Sequence, residues 1–216
     1  MKKIIGISGW KRSGKDTAAE FLIAEHGYKK VSFADPLKVM VAEEYGIPLS
    51  WCYDQDKKEA PISSLPVTPK DKFTESIAGL LYNEFKTAKG ESLKADSIAT
   101  GDAFWTPRAL CILKGSTNRS VDSQYWVKRA IDKIKNSEHD KFVISDFRYR
   151  SEMEQFKEAF NGSSTFTNIR INRFASVDTT DPSERDLDNY EFDFVVENKT
   201  TLENLYKTVG GIVAGS

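Results

Sequence analysis

A glycine-framed loop between a strand-like and a helix-like segment constrains this chain more than any other feature. Lys3–Ser8 is an apolar, β-rich run, and Gly9-Trp10-Lys11-Arg12-Ser13-Gly14-Lys15-Asp16-Thr17 follows it. Lys15–Glu25 then carries Ala18, Ala19, Phe21, Leu22 and Ala24, the spacing of an amphipathic helix packed on a sheet. The loop fits Gly-x4-Gly-Lys. Its two glycines let successive backbone N–H groups converge on one anion. The start of the helix adds its positive dipole end, and Lys15 a point charge for the β- and γ-phosphates of a nucleotide.

Lys11, Arg12, Ser13, Gly14, Lys15, Asp16 and Thr17 are therefore candidate ligands of a phosphorylated donor. Asp16 departs from the pattern, because a hydroxyl for Mg²⁺ usually follows the lysine. Three roles stay open. Asp16 reaches the metal through water, or it orients an acceptor phosphate, while Thr17 supplies the hydroxyl contact. Asp16 and Thr17 are the metal candidates. An ordinary strand-to-helix turn would have the same glycines, but the strand before the loop and the helix after it favour phosphate.

Downstream, strands and helices continue to alternate. Tyr28–Phe33 reads as a strand, and Asp35-Pro36 as an N-cap and first helical proline for a helix ending near Gly46. Asp54–Lys72 is a proline-bearing loop, Phe73–Phe85 has helical spacing, and Lys86–Asp102 is polar and undecided. Thr106-Pro107 opens another helix with Gly115 placed to stop it, and Tyr125–Ile134 forms the next. Phe142–Phe147 is a buried-strand candidate, Ser151–Phe160 a helix, Asn168–Arg173 and Phe192–Val196 strands, and Leu202–Val209 the last helix. This order predicts an α/β chain, a parallel sheet flanked by helices with ligands at the carboxyl ends of the strands.

Composition excludes several classes. Net charge is −1 from 31 basic and 32 acidic residues among 216, so no cationic excess drives binding to polymeric nucleic acid. No apolar run reaches the roughly 18 residues that span a membrane, and the apolar part of the N-terminus is too short for a signal peptide. Cys52 and Cys111 lie far apart in sequence and in no zinc spacing, which indicates a reducing cytoplasm. Only His26 and His139 are available, too little for histidine-based catalysis or a metal cluster.

The loop, Phe33-Ala34-Asp35-Pro36-Leu37-Lys38, Arg108-x6-Gly115-Ser116, Tyr125-Trp126-Val127-Lys128, Asp146-x-Arg148-x3-Glu152 and Pro182-Ser183-Glu184 occur in that order. In this set and sequence the chain resembles the phage-type deoxynucleoside monophosphate kinases from end to end. The loop alone is shared with dephospho-coenzyme A kinase and phosphomevalonate kinase; the later motifs discriminate. The resemblance implies a three-layer P-loop kinase fold with a core at about 1–34, 140–172 and 190–216. It implies a helical acceptor-binding insertion at about 35–139 and a lid at about 173–189. It also implies ATP as donor, Mg²⁺, a deoxynucleoside monophosphate as acceptor, and the host cytoplasm if the gene is a phage's. A homodimer is left open.

By resemblance, Arg108 holds the acceptor monophosphate with Gly115 and Ser116; on position alone it is a solvated arginine on a helix face. Asp146, at the end of a strand, reaches Mg²⁺ or the sugar, and Arg148 clamps a phosphate. Glu152 accepts from the acceptor's base or sugar, or pairs with Arg148 across one turn. Trp126 and Phe33 line the acceptor site or belong to the core, and Lys38 and Lys114 are weaker phosphate candidates. Arg173 and Arg185 are the arginines of the lid. Asn198 flanks the donor adenine or sits in a plain turn, and Trp10 has no assigned role. Two other readings compete: a P-loop kinase for another small acceptor, and a nucleotide-binding regulatory or assembly ATPase.

Overall fold

The structure, a computed structural model, describes residues 1–67, 81, 84–87, 89–91, 103–162, 164–173 and 185–215. The helix expected over Phe73–Phe85, most of the undecided 86–102 stretch, and Pro182-Ser183-Glu184 lie wholly or largely outside these residues. The chain divides into two units, Met1–Phe33 with Val127–Ser216, and Ala34–Trp126.

The first unit is built on a parallel sheet of β1 (Lys2–Ser8), β2 (Lys29–Lys30), β3 (Lys141–Ile144), β4 (Ser164–Asn172) and β5 (Phe194–Glu197) in the order β2-β3-β1-β4-β5. The central β1 has neighbours on both edges and helices over its faces, so Ile4, Ile5 and Ile7 are all buried. Around Ile5 and Ile7, Ala18, Ala19 and Leu22 of α1 (Lys15–His26) and Leu205, Val209 and Val213 of the last helix join Val143, Ile169 and Ile171 in one core. A second aromatic group, Phe33, Phe147, Phe156 and Phe166, packs edge-on or tilted with centroids 5.1–5.8 Å apart.

The expected strand at Tyr28–Phe33 is reduced to two paired residues, because only the backbone beside Phe142 and Val143 finds ladder partners. The run at Asn168–Arg173 instead extends backward to Ser164, where β1 supplies pairing along its whole length.

The described residues of the second unit are mostly helical, with antiparallel bridges from Phe104 to Pro66 and Lys86. Its α2 (Ala34–Tyr45) begins one residue before the expected cap, and short 3₁₀ turns cover Leu49–Cys52 and Lys57–Glu59. In α3 (Pro107–Val121), Thr106 caps the helix by accepting from the Ala109 amide at 3.1 Å, as the sequence predicts. Gly115 does not stop α3. It lies in its middle, buried, where an added Cβ would come 3.4 Å from Leu37 Cδ2 of α2. α4 (Tyr125–Lys135) spans the division, and its residues from Val127 onward group with the sheet. α5 (Arg150–Ala159) and α6 (Leu202–Ala214) complete the helices. No described helix is long and apolar enough to cross a membrane.

Candidate active site

The chain leaves β1 toward β2 on one side, whereas the β3-to-β4 connection carries it to the other. That switch leaves a crevice at the carboxyl ends of β1, β3 and β4. A pocket of about 200 Å³ occupies it, lined by Ser8, Gly9, Lys15 and Asp16, by Ser145, Asp146, Phe147 and Arg148, and by Arg170 and Leu187. This volume is below the roughly 300–1,000 Å³ of sites that enclose a whole small molecule. It suits phosphate groups.

Gly14 adopts φ +98°, and a Cβ there would stand 2.5 Å from Asn198 Nδ2. The same Nδ2 donates to the Ser13 carbonyl at 2.8 Å, while the Asn198 amide donates to Asn172 O at 2.7 Å. Asn198 therefore braces the loop against the end of β4. Replacing it by alanine removes one such bond, a loss of about 1 kcal/mol. We expect Asn198→Ala to weaken binding of inorganic tripolyphosphate to the loop by about fivefold without unfolding the chain. Titration calorimetry with tripolyphosphate checks this, and unchanged affinity would contradict it. Lys11 and Arg12 are exposed, Arg12 with φ +66°, and Thr17 is half-buried. Ser13 is 1% exposed, and its Oγ has no hydrogen-bond partner among the described residues.

Lys15 Nζ lies 3.1 Å from Asp16 Oδ2, and Ser145 Oγ donates to Asp16 Oδ1 at 2.9 Å. Partial burial raises the Asp16 pKa, but the Lys15 charge, the bonds from Ser145 and Lys15, and the charge of Lys30 outweigh it. The net effect is a carboxyl below its ordinary range. Asp16 is thus ionised wherever the site works near neutral pH. Asp146 Oδ2 accepts from Ser32 Oγ at 2.6 Å and from the Phe33 amide at 2.9 Å, which stitches the tip of β3 to the exit of β2. The Phe33 ring is 5% exposed and belongs to the aromatic core.

Glu152 has a different position from the one expected of an acceptor ligand. It is 5% exposed, and its Oε2 accepts from the amides of Arg148 and Tyr149 at 2.8 and 3.0 Å. As the third residue of α5 it reaches back over the helix start, the geometry of a capping box. That contact fixes the loop from which Arg148 enters the pocket.

At this strand end the sequence points to Arg173, and the structure puts Arg170 at the pocket instead. Arg173 is exposed and does not line the pocket, whereas Arg170 does and is 7% exposed. Strand alternation carries the signal: Arg170 pairs in register with Ser8, the last residue before the loop.

In the second unit, Arg108 Nε lies 2.5 Å from Glu59 Oε1 and 3.5 Å from Glu84 Oε2. Burial raises the Glu84 pKa, the Arg108 charge lowers it and the Glu59 charge raises it, with a net rise. Gly115 and Ser116 sit inside α3, so their backbone donors serve the helix, not an anion. Trp126 is 3% exposed, and its Nε1 donates to Gly115 O at 3.4 Å. Lys38 lies 3.8 Å from the Tyr53 ring centroid, and Lys114 pairs with Glu44.

Cys52 and Cys111, far apart in sequence, share a hydrogen bond in this unit as free thiols. Burial pushes both upward, Cys111 from 9.0 to about 12. Above the ordinary thiol value the unfolded chain ionises first, so stability is expected to fall as pH rises from about 9 toward 12. A urea midpoint at about pH 10.5 as high as that at pH 8 would count against it. At pH 8, native thiols should also label far more slowly than unfolded ones.

A glycine loop with a lysine at the start of its helix, facing a strand-end aspartate and an arginine, has the form of a P-loop. The family model for deoxynucleotide monophosphate kinase matches residues 3–60 and 94–209. The chain belongs to that family, whose members transfer a phosphoryl group to a deoxynucleoside monophosphate. A protein of Acanthamoeba polyphaga mimivirus, provisionally named a deoxynucleotide monophosphate kinase, is 29% identical over 211 residues, covering 95% of this chain and 93% of its own. The deoxynucleotide monophosphate kinase of Enterobacteria phage T4 is 24% identical over 249 residues, covering 96% and 97%. Among solved structures, a dephospho-CoA kinase from Campylobacter jejuni aligns over 99% of this chain and 96% of its own, with 14% identity and a TM-score of 0.46.

Proposed function

We propose that this chain moves the γ-phosphoryl group of ATP onto the phosphate of a deoxynucleoside monophosphate, giving ADP and the deoxynucleoside diphosphate. The observation that carries the reading is the shared pocket of Lys15, Asp16, Asp146 and Arg148 at the carboxyl ends of the strands. The acceptor phosphate is anionic near neutral pH, since its second pKa is roughly 6. The reaction then needs positioning and charge neutralisation more than a base, which suits a site lined by cations and carboxylates without histidine.

On this reading the loop amides and Lys15 hold the donor, and the buried Ser13 hydroxyl, without a partner among the described residues, gains a phosphate oxygen as acceptor. Arg148 clamps a phosphate, and Arg108 binds the acceptor in competition with Glu59 and Glu84. Arg173 and Arg185 belong to the proposed lid at about 173–189. Mg²⁺ commonly takes one or two carboxylates and completes its shell with phosphates and water. The ionised, hard-oxygen Asp16 beside Lys15 fits that donor set, with Thr17 as a hydroxyl ligand. Bound there, Mg²⁺ would neutralise charge on the phosphates. ATP and deoxynucleotide pools place the work in the cytoplasm, the host's if the gene is a phage's.

A coupled ADP-release assay across deoxy- and ribonucleoside monophosphates tests the proposal. One or more deoxynucleotides should stimulate ADP release strongly and leave a diphosphate product. Turnover that ignores every nucleotide acceptor, or responds only to dephospho-coenzyme A, would overturn it.

A further inference from the structure

We propose that Arg170 is a further catalytic residue, contacting the phosphate groups in the pocket, and that Asp188 and Trp10 are the positioning residues that aim it. The inference rests on the function proposed above and adds a residue to that site.

Arg170 stands on β4 level with Ser8, at the point where β1 gives way to the phosphate loop. Its Nη1 donates to Ser8 Oγ at 3.1 Å and its Nη2 to Asp188 Oδ1 at 2.8 Å. The same Asp188 oxygen accepts from Trp10 Nε1 at 2.9 Å, and the guanidinium carbon lies 5.6 Å from the Trp10 ring centroid. One carboxylate oxygen thus joins the phosphate loop, β4 and the 185–190 segment. It gives Trp10 a role that packing alone does not. The indole forms a wall beside the guanidinium, and its N–H fixes the oxygen that orients Arg170.

Charge distinguishes this arrangement from a purely structural pair. Asp188 is approached by a second cation, with Arg185 Nε 3.6 Å from Oδ2, so it does not belong to Arg170 alone. The pocket lining holds Lys15, Arg148 and Arg170 against Asp16 and Asp146. A guanidinium 7% exposed on the wall of such a pocket keeps its charge, whereas a buried lysine readily loses its proton.

In the transfer, the bond from phosphorus to the donor's bridging oxygen breaks as one forms to an acceptor phosphate oxygen. The donor leaves as ADP, and no proton leaves Arg170. Its contribution is fixed positive charge beside the phosphoryl oxygens, a term worth about 100-fold in kcat when one such donor is lost.

The test uses the full chain with ATP, Mg²⁺ and the best acceptor from the nucleotide panel. Arg170→Lys should lower kcat by about 100-fold, with both KM values within about threefold and an unchanged urea midpoint. Guanidinium ion, but not ammonium, should restore part of the activity of Arg170→Ala. Asp188→Asn, which keeps the size of the side chain, should lower kcat by about tenfold at constant KM for ATP. Folded variants with kcat within about threefold of the parent would overturn the inference. So would losses that only follow the fraction of folded protein. If neither Arg170 variant folds, the Asp188→Asn result decides on its own.

Calorimetric binding of inorganic tripolyphosphate separates this inference from the proposed reaction. A parent that binds it but transfers to no nucleotide would refute the function alone. Where the parent transfers, a kcat in folded Arg170→Lys within about threefold of the parent's would refute the role of Arg170 alone.

Discussion

Lys15→Ala is expected to reduce kcat/KM for phosphoryl transfer by about 1,000-fold or more without unfolding the protein. Lys15 Nζ is held 3.1 Å from Asp16 at the floor of the pocket, with the lysine side chain 22% exposed. Its loss removes the point charge that the β- and γ-phosphates would meet. It also leaves the Asp16 carboxylate facing those phosphates with its nearest cation gone. The effect on the transfer therefore combines a lost attraction with a new repulsion. A partly exposed ion pair contributes only about 1 kcal/mol or less to folding. The urea midpoint should accordingly stay close to that of the parent while ADP release collapses. Since Lys15 helps to hold the Asp16 pKa down, that carboxyl should titrate higher in the variant. Transfer at the parental rate by a folded Lys15→Ala protein would remove the basis for placing the donor in this loop.

Gly9→Ala should have the largest effect on folding of any single methyl added to the loop. A Cβ at Gly9 would fall 2.6 Å from the Ile171 carbonyl oxygen and 2.4 Å from Ser13 Oγ. Ser13 has some freedom to turn, but the Ile171 carbonyl belongs to β4, the long neighbour of β1. The backbone must move, and overpacking of this kind costs about 3 kcal/mol. At Gly14 the obstruction is the Asn198 side chain at 2.5 Å, joined to a φ of +98° that other residues adopt only with strain. Gly14→Ala should therefore be partly rescued by Asn198→Ala, which removes the steric part and leaves the backbone part. Gly9→Ala should gain nothing from it. Urea titrations of the two single variants and two double variants check this, and rescue of both glycine variants alike would contradict it.

Much of the architecture was legible because it follows from local patterns. Strand, glycine loop and helix at the N-terminus appear where the sequence places them, as do the Thr106 cap and the strands around residues 142 and 195. Each depends on side chains a few residues apart. The grouping of candidate residues was legible to the same extent: Lys15, Asp16, Asp146 and Arg148 line one pocket because loop and strand ends converge in a sheet of this topology.

Other assignments needed distances that no local pattern contains. Gly115 has the composition of a helix stop, yet its close neighbour is Leu37, more than seventy positions away, and α3 continues through it. Glu152 has the charge of a ligand, but its place as third residue of α5 turns it toward the amides before the helix. Cys52 and Cys111 meet only through the packing of α3 against the Leu49–Cys52 turn.

The glycine loop by itself determined where the proposed phosphate site lies, because backbone curvature, helix polarity and a following lysine are all encoded within nine residues. What only the tertiary structure decided is which distant groups join it. Asn198 braces the loop, and Arg170, tied through Asp188 to Trp10, enters the pocket in place of Arg173. The reason is physical. Local conformation depends on neighbours along the chain, but the charges around an anion are gathered by strand register and crossover, and those bring together residues more than 150 positions apart.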